Sequence, residues 1–139
     1  MPLVAARALA DADQYEVLSL RPEVFSLRPH PEQPRFHGYE ILGRMTVTDA
    51  ATRQRLNAAL QSGVRESDGR MMACFNPRHG IRVTRAGVTT DFAICFECRQ
   101  IQVWRDGKEI AFFLTSESPQ PVFDRVLQKA NVPLAPKEP

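Results

Sequence analysis

Tyr39, Ile41, Met45 and Val47 alternate with mostly polar neighbours, the period-two pattern of a half-buried strand. A shorter apolar stretch over 15–20 predicts another strand, although Val17 and Leu18 interrupt strict alternation. Past Val47 the period lengthens. Leu56, Ala59 and Leu60 fall on one side of a helix expected from about 49 to 62. Thr48 or Asp49 offers a side-chain oxygen to cap its first turn, and Gly63 suits its C-terminal cap.

Four strands are expected next, over 71–75, 81–84, 89–103 and 108–114. Ala86-Gly87 and Asp106-Gly107 supply tight turns, since glycine and aspartate tolerate positive φ, and the first is expected to bring His79 opposite about Ile94. The second turn predicts Val103 opposite Ile110 and Ile101 opposite Phe112, all four on one buried face. Within 89–103 the apolar residues change parity. Phe92, Ile94 and Phe96 are even, whereas Ile101 and Val103 are odd, so a β-bulge is expected near 98–100. A final helix has Ser118 as its cap, Pro119 in its first turn and Val122, Phe123, Val126, Leu127 and Ala130 as its stripe, with Pro133 ending it.

The element order ββαββββα defines an α+β class: an antiparallel sheet of about five to six strands with two helices on one face and no βαβ crossover. The expected limits are a flexible start over 1–14, one domain over 15–132 and a flexible tail over 133–139. Residues 29–36, with Pro29, Pro31 and Pro34, read as an extended loop. The tetrapeptide Ser-Leu-Arg-Pro occurs at 19–22 and 26–29, too short a repeat to imply a repeating fold.

Charge narrows the function classes. The formal net charge is +2, too balanced to predict a nucleic-acid surface. No apolar run approaches the about 18 residues of a membrane helix. Residues 1–12 lack the apolar core of an export signal. Three cysteines cannot all pair within one chain, so a reduced, cytoplasmic setting is expected. An exported or periplasmic setting follows if the native chain carries a signal that was removed.

The concentrated chemistry lies between Cys74 and Cys98. Cys74, His79, Cys95 and Cys98 form the pattern C-x4-H-x15-C-x2-C, which holds four donors of the types zinc prefers. Glu97 and Arg78 adjoin these donors and are placed to support them from behind. Such a site has no open position for water, so its role would be structural. Cys95 and Cys98 can instead act as a redox pair, with Cys74 as partner. A single disulfide, or three plain buried thiols, are the other readings. Arg82, Arg85 and Arg99 are expected on a solvated face, His30 and His37 in a solvated loop, and Trp104 in packing. The chain contains no glycine-rich phosphate loop, H-E-x-x-H or G-x-S-x-G. His79 is followed by Gly80 and Ile81, so the His-x-Glu of zinc deaminases is missing.

The run Cys74-Phe75-Asn76-Pro77-Arg78-His79, followed by Cys95-Phe96-Glu97-Cys98, resembles a motif of small bacterial proteins with no assigned activity. The resemblance covers about 71–104. It implies that the three cysteines and His79 belong together. Some of those proteins resemble exported or lipid-anchored ones, which favours a disulfide. The expected function is a binding or interaction domain, not an enzyme, with a Cys/His cluster that holds zinc; its protein or small-molecule partner is unspecified. The alternatives are a thiol-redox protein and an exported binding domain with one disulfide.

Overall fold

The computed structural model describes residues 1–22 and 35–136. The loop prolines Pro29, Pro31 and Pro34, His30 and the second tetrapeptide copy lie outside the described residues. The elements are α1 (Leu3–Ala10), β1 (Gln14–Leu20), β2 (Arg35–Phe36), β3 (Tyr39–Thr46), α2 (Ala50–Arg65), β4 (His79–Arg85), β5 (Val88–Cys95), β6 (Gln100–Arg105), β7 (Lys108–Leu114) and α3 (Gln120–Lys129). The strands form one sheet in the order β2-β3-β1-β4-β5-β6-β7. Every neighbouring pair is antiparallel. The α+β class therefore holds, with seven strands and three helices among the described residues. No helix among them is long and apolar enough to cross a membrane.

The strands bury opposite faces in different ways. Tyr15, Val17, Ile81, Val83, Phe92, Ile94, Ile101 and Val103 meet Ala5 and Leu9 of α1, Leu56 and Leu60 of α2, and Phe123 and Leu127 of α3 in the main core. Leu18, Leu20, Phe36, Tyr39 and Ala93 form a smaller cluster. Phe36 lies over Gly80, where an added Cβ would sit 3.1 Å from its ring. All three helices thus contribute to one core. β3 and β4 flank β1 and both run antiparallel to it, so they are parallel to each other. α2 joins them, a βαβ crossover split by β1, contrary to the hairpin-only expectation. A helix with a buried Leu56/Leu60 stripe needs a sheet face beneath it, and crossing β1 provides one.

Other expectations are corrected. The start of the chain is not irregular: α1 buries Ala5 and Leu9, an i/i+4 pair on one helical face. Residues 71–75 form no strand, because β4 already lies between β1 and β5 and leaves no edge beside them. The β6–β7 register shifts by one residue between Val103 and Trp104. Val103 then faces Ala111 and Ile101 faces Phe113, while Ile110 and Phe112 are 39% and 45% exposed. In the segment after Lys129, Val132 is buried and Leu134 packs against the main core.

Asp49 is the α2 cap, accepting the Thr52 N–H at 2.8 Å. Gly63 is not a C-terminal cap, since α2 continues to Arg65. A Cβ there would stand 2.4 Å from Pro119 Cγ and 2.7 Å from Thr115 Oγ1, so glycine permits close approach of α2 to the segment before α3. Ser118 does not cap α3: Pro119 holds the cap position with no side-chain bond, and Ser118 Oγ pairs with Ser116 Oγ. Gly63→Ala gains about 1 kcal/mol of helix propensity but overpacks this contact. The expected net loss is about 2 kcal/mol by urea unfolding. Unchanged or raised stability would mean that the two segments do not abut there.

Candidate functional site at the cysteine hairpin

The parity change in 89–103 is a chain reversal and not a bulge. β5 ends at Cys95, β6 begins at Gln100, and the two strands pair back on each other. Phe92 faces Val103 and Ile94 faces Ile101, which carries even residues of one strand and odd residues of the next to the same core. The four-residue turn includes none of the usual Gly, Asn or Pro signals. Arg99 adopts φ +64° instead, at a cost of about 1 kcal/mol. Its N–H reaches the Phe96 carbonyl at 3.1 Å.

A disulfide between Cys95 and Cys98 clamps this turn, their Cα atoms 5.1 Å apart. The two residues are 1% and 3% exposed. Both sulfurs accept backbone bonds: Cys98 N–H to Cys95 Sγ at 3.0 Å, and Asn76 N–H to Cys98 Sγ at 3.3 Å. The segment before β4 lies along the turn. Met72 N–H donates to the Cys98 carbonyl, and the Gln100 side-chain amide donates to the Met72 carbonyl. Cys74 is an exposed free thiol within that segment.

His79 sits opposite Ile94, as the turn at Ala86-Gly87 predicts. Its ring lies 5.1 Å from that of Phe96 and 6.1 Å from that of Phe123, so it is almost wholly covered. Its Nε2 stands 2.7 Å from Asp124 Oδ1 on α3. A carboxylate can only accept, so this ring nitrogen carries the proton. The four expected zinc ligands therefore do not converge. Two sulfurs are bonded to each other, Cys74 faces outward and His79 is held by Asp124. Among the described residues no group of three or more His, Cys, Asp or Glu side chains is disposed to hold an ion.

A cleft of about 470 Å³ opens between this hairpin and α3. Its lining includes Arg78, His79, Glu97, Glu117, Gln120 and Asp124, so three sequence candidates, Arg78, His79 and Glu97, do share one site. Arg78 is held against one wall, where Nη1 donates to the Pro136 carbonyl at 2.8 Å. Three carboxylates, Glu97, Glu117 and Asp124, outnumber the one guanidinium, Arg78, so the lining is acidic on balance. Asp124 and Glu117 were missed because α3 and its approach are remote in sequence.

His37, expected to be solvated, belongs to a second polar cluster. Its Nε2 meets Asp91 Oδ2 at 2.8 Å, and its ring stacks on Trp104 at 4.9 Å. Arg82 grips the same carboxylate through Nε at 2.8 Å and Nη2 at 3.0 Å. Burial opposes ionisation of Asp91, but the bonds from His37 and Arg82 outweigh it and lower its pKa below the ordinary value. The remaining flanking arginines are also engaged: Arg85 pairs with Asp11 and Arg99 with Asp68.

Comparison of the chain with protein-family models, curated proteins and solved structures finds no match.

Removing the His79 partner by Asp124→Ala leaves a buried donor unsatisfied, with an expected loss of about 2 kcal/mol in urea unfolding. A loss under about 0.5 kcal/mol would show that water replaces the carboxylate freely. Asp91→Asn is expected to lose a similar amount at neutral pH. A depressed folded pKa gives stability that is complete above the unfolded carboxylate value, about 4, and is lost as pH falls through the lower folded value. The gap between wild type and Asp91→Asn should therefore narrow below about pH 4. A pH-independent gap would show that charge is not what binds Asp91.

Proposed function

We propose that this chain is a non-catalytic binding domain whose cleft beside the cysteine hairpin receives a cationic group, a primary amine being the simplest. The observation that carries this reading is the acidic lining, with Glu97, Glu117 and Asp124 around a cavity of small-molecule size. The disulfide fixes the turn that presents Glu97, so its role is structural. Its burial supports that role, because labile disulfides are strained or exposed. A persistent disulfide also favours an exported setting. Calorimetric titration with putrescine and spermidine tests the cleft. Saturable binding is expected, weakened about tenfold by Glu97→Gln or Glu117→Gln through loss of one charge-assisted bond. No saturation at millimolar probe, or unchanged affinity in both variants, would reject it.

A thiol-redox role for Cys95 and Cys98 is the second reading, favoured by the N–H groups of Asn76 and Cys98 aimed at the sulfurs. Such donors stabilise thiolate and so the reduced form. Equilibration in glutathione buffers, followed by alkylation and mass measurement, separates the readings. A structural disulfide stays closed at the glutathione poise, with a potential below about −300 mV. A redox pair opens near about −200 mV. In the entropic account, closing so short a loop contributes about 2 kcal/mol. Zinc held by Cys74, His79, Cys95 and Cys98 needs the disulfide opened and His79 turned from Asp124. Elemental analysis of reduced protein purified without added metal tests that form, for which about one zinc per chain is expected.

A further inference from the structure

α1 does not seal the sheet it lies against. Between α1 and the β4–β5 hairpin is a cavity of about 570 Å³, at the opposite end of β4 from His79. Leu3, Val4, Ala8, Val83 and Val88 give it apolar walls. Leu3 and Val88 are 63% and 47% exposed, so large apolar side chains stand in water at its mouth. Volumes of this size accommodate small molecules.

The charged groups around the cavity are three arginines, Arg7, Arg85 and Arg105, and one carboxylate, Asp11. Arg85 takes up Asp11 at 3.3 Å. Arg105 donates to Thr90 Oγ1 from Nε at 3.1 Å and Nη2 at 2.9 Å, both bonds to a neutral oxygen. Among the described residues neither Arg7 nor Arg105 pairs with a carboxylate. The groove thus joins an apolar trough to two guanidinium groups that no carboxylate of the described residues pairs with. Guanidinium forks match the two oxygens of a carboxylate.

We propose that this groove binds an amphiphilic anion, an aliphatic carboxylate whose chain lies in the trough and whose head group meets the arginine-lined rim. The neighbouring α1 face supplies the exposed Leu3, and the hairpin supplies Val88, so the chain is gripped from both sides. This site is separate from the acidic cleft, whose lining carries the opposite charge.

Three probes with one chain length test it: decanoate, decanol and decyltrimethylammonium. Calorimetry and methyl NMR on the full chain read the result. Decanoate is expected to bind saturably and to shift the Leu3, Val83 and Val88 methyl signals. At these methyl signals decanol and the cation should bind at least about tenfold more weakly, as should decanoate to the double variant Arg7→Gln with Arg105→Gln. Arg7→Lys, which keeps the charge, restores most of the affinity in place of Arg7→Gln. Glu97→Gln in the distant cleft leaves decanoate binding unchanged. Equal affinity for all three probes at the Leu3, Val83 and Val88 methyls overturns the proposal, as does methyl perturbation confined to other parts of the sheet. It is also overturned if decanoate fails to saturate while phospholipid vesicles bind the chain, since a bilayer surface is then the occupant.

Discussion

The reversal between Cys95 and Gln100 decides which side of the sheet every later residue faces. With Ile94 against Ile101 and Phe92 against Val103, four large side chains enter the main core from two strands. A slip of one residue would turn Ile101 and Val103 outward and bring Gln100 and Gln102 in. The turn itself is a poor one by local preference, with Arg99 at positive φ. The Cys95–Cys98 bond and the Phe96 side chain, buried against His79 and Phe123, hold it in place. The covalent clamp and the apolar anchor act on adjacent residues, so the turn is fixed from both of its sides.

The same clamp organises the polar site. Cys98 offers its carbonyl to Met72 and its sulfur to Asn76, which lays the segment before β4 along the hairpin. That segment leads into Arg78 and His79. Once the hairpin is closed, Glu97 stands at one side of the cleft while Asp124 approaches from α3. His79 bridges the two: its ring packs with Phe96 of the hairpin and Phe123 of the helix, and its Nε2 fixes Asp124. Burying a polar ring is tolerated because its donor is satisfied.

A formal net charge of +2 conceals a division of charge along the molecule. The cleft at the His79 end of β4 is lined by Glu97, Glu117 and Asp124, which outnumber its one guanidinium, Arg78. The groove at the Arg85 end is lined by Arg7, Arg85 and Arg105, with Asp11 committed to Arg85. Between them, on the other face of the sheet, Asp91 is ion-paired with Arg82 and hydrogen-bonded to His37, whose ring stacks on Trp104. Ends of opposite charge suit ligands of opposite charge, and neither is visible in the sum.

What the sequence determined by itself was local. Alternation marked β3, β4 and the ends of β5 and β6, because a half-buried strand needs period two. Ala86-Gly87 and Asp106-Gly107 marked their turns, because few residues tolerate positive φ, and the first turn correctly set His79 opposite Ile94. Asp49 marked the start of α2. The sequence marked Arg78 and Glu97 as supports for a metal site at His79; that the three line one cleft follows from the β4–β5 pairing that brings residue 79 to the end of β5. Tertiary structure decided the rest. The turn at 96–99 carries no local signature, since a disulfide and a buried ring hold what backbone preference would not. Asp124 joins His79 only because α3 packs across the sheet, and α3 lies 45 residues away. The bulge that exposes Ile110 and Phe112, the strand-crossing path of α2 and the arginine-rimmed groove beneath α1 all depend on which surfaces meet. Packing between distant segments settles that, and short-range pattern does not encode it.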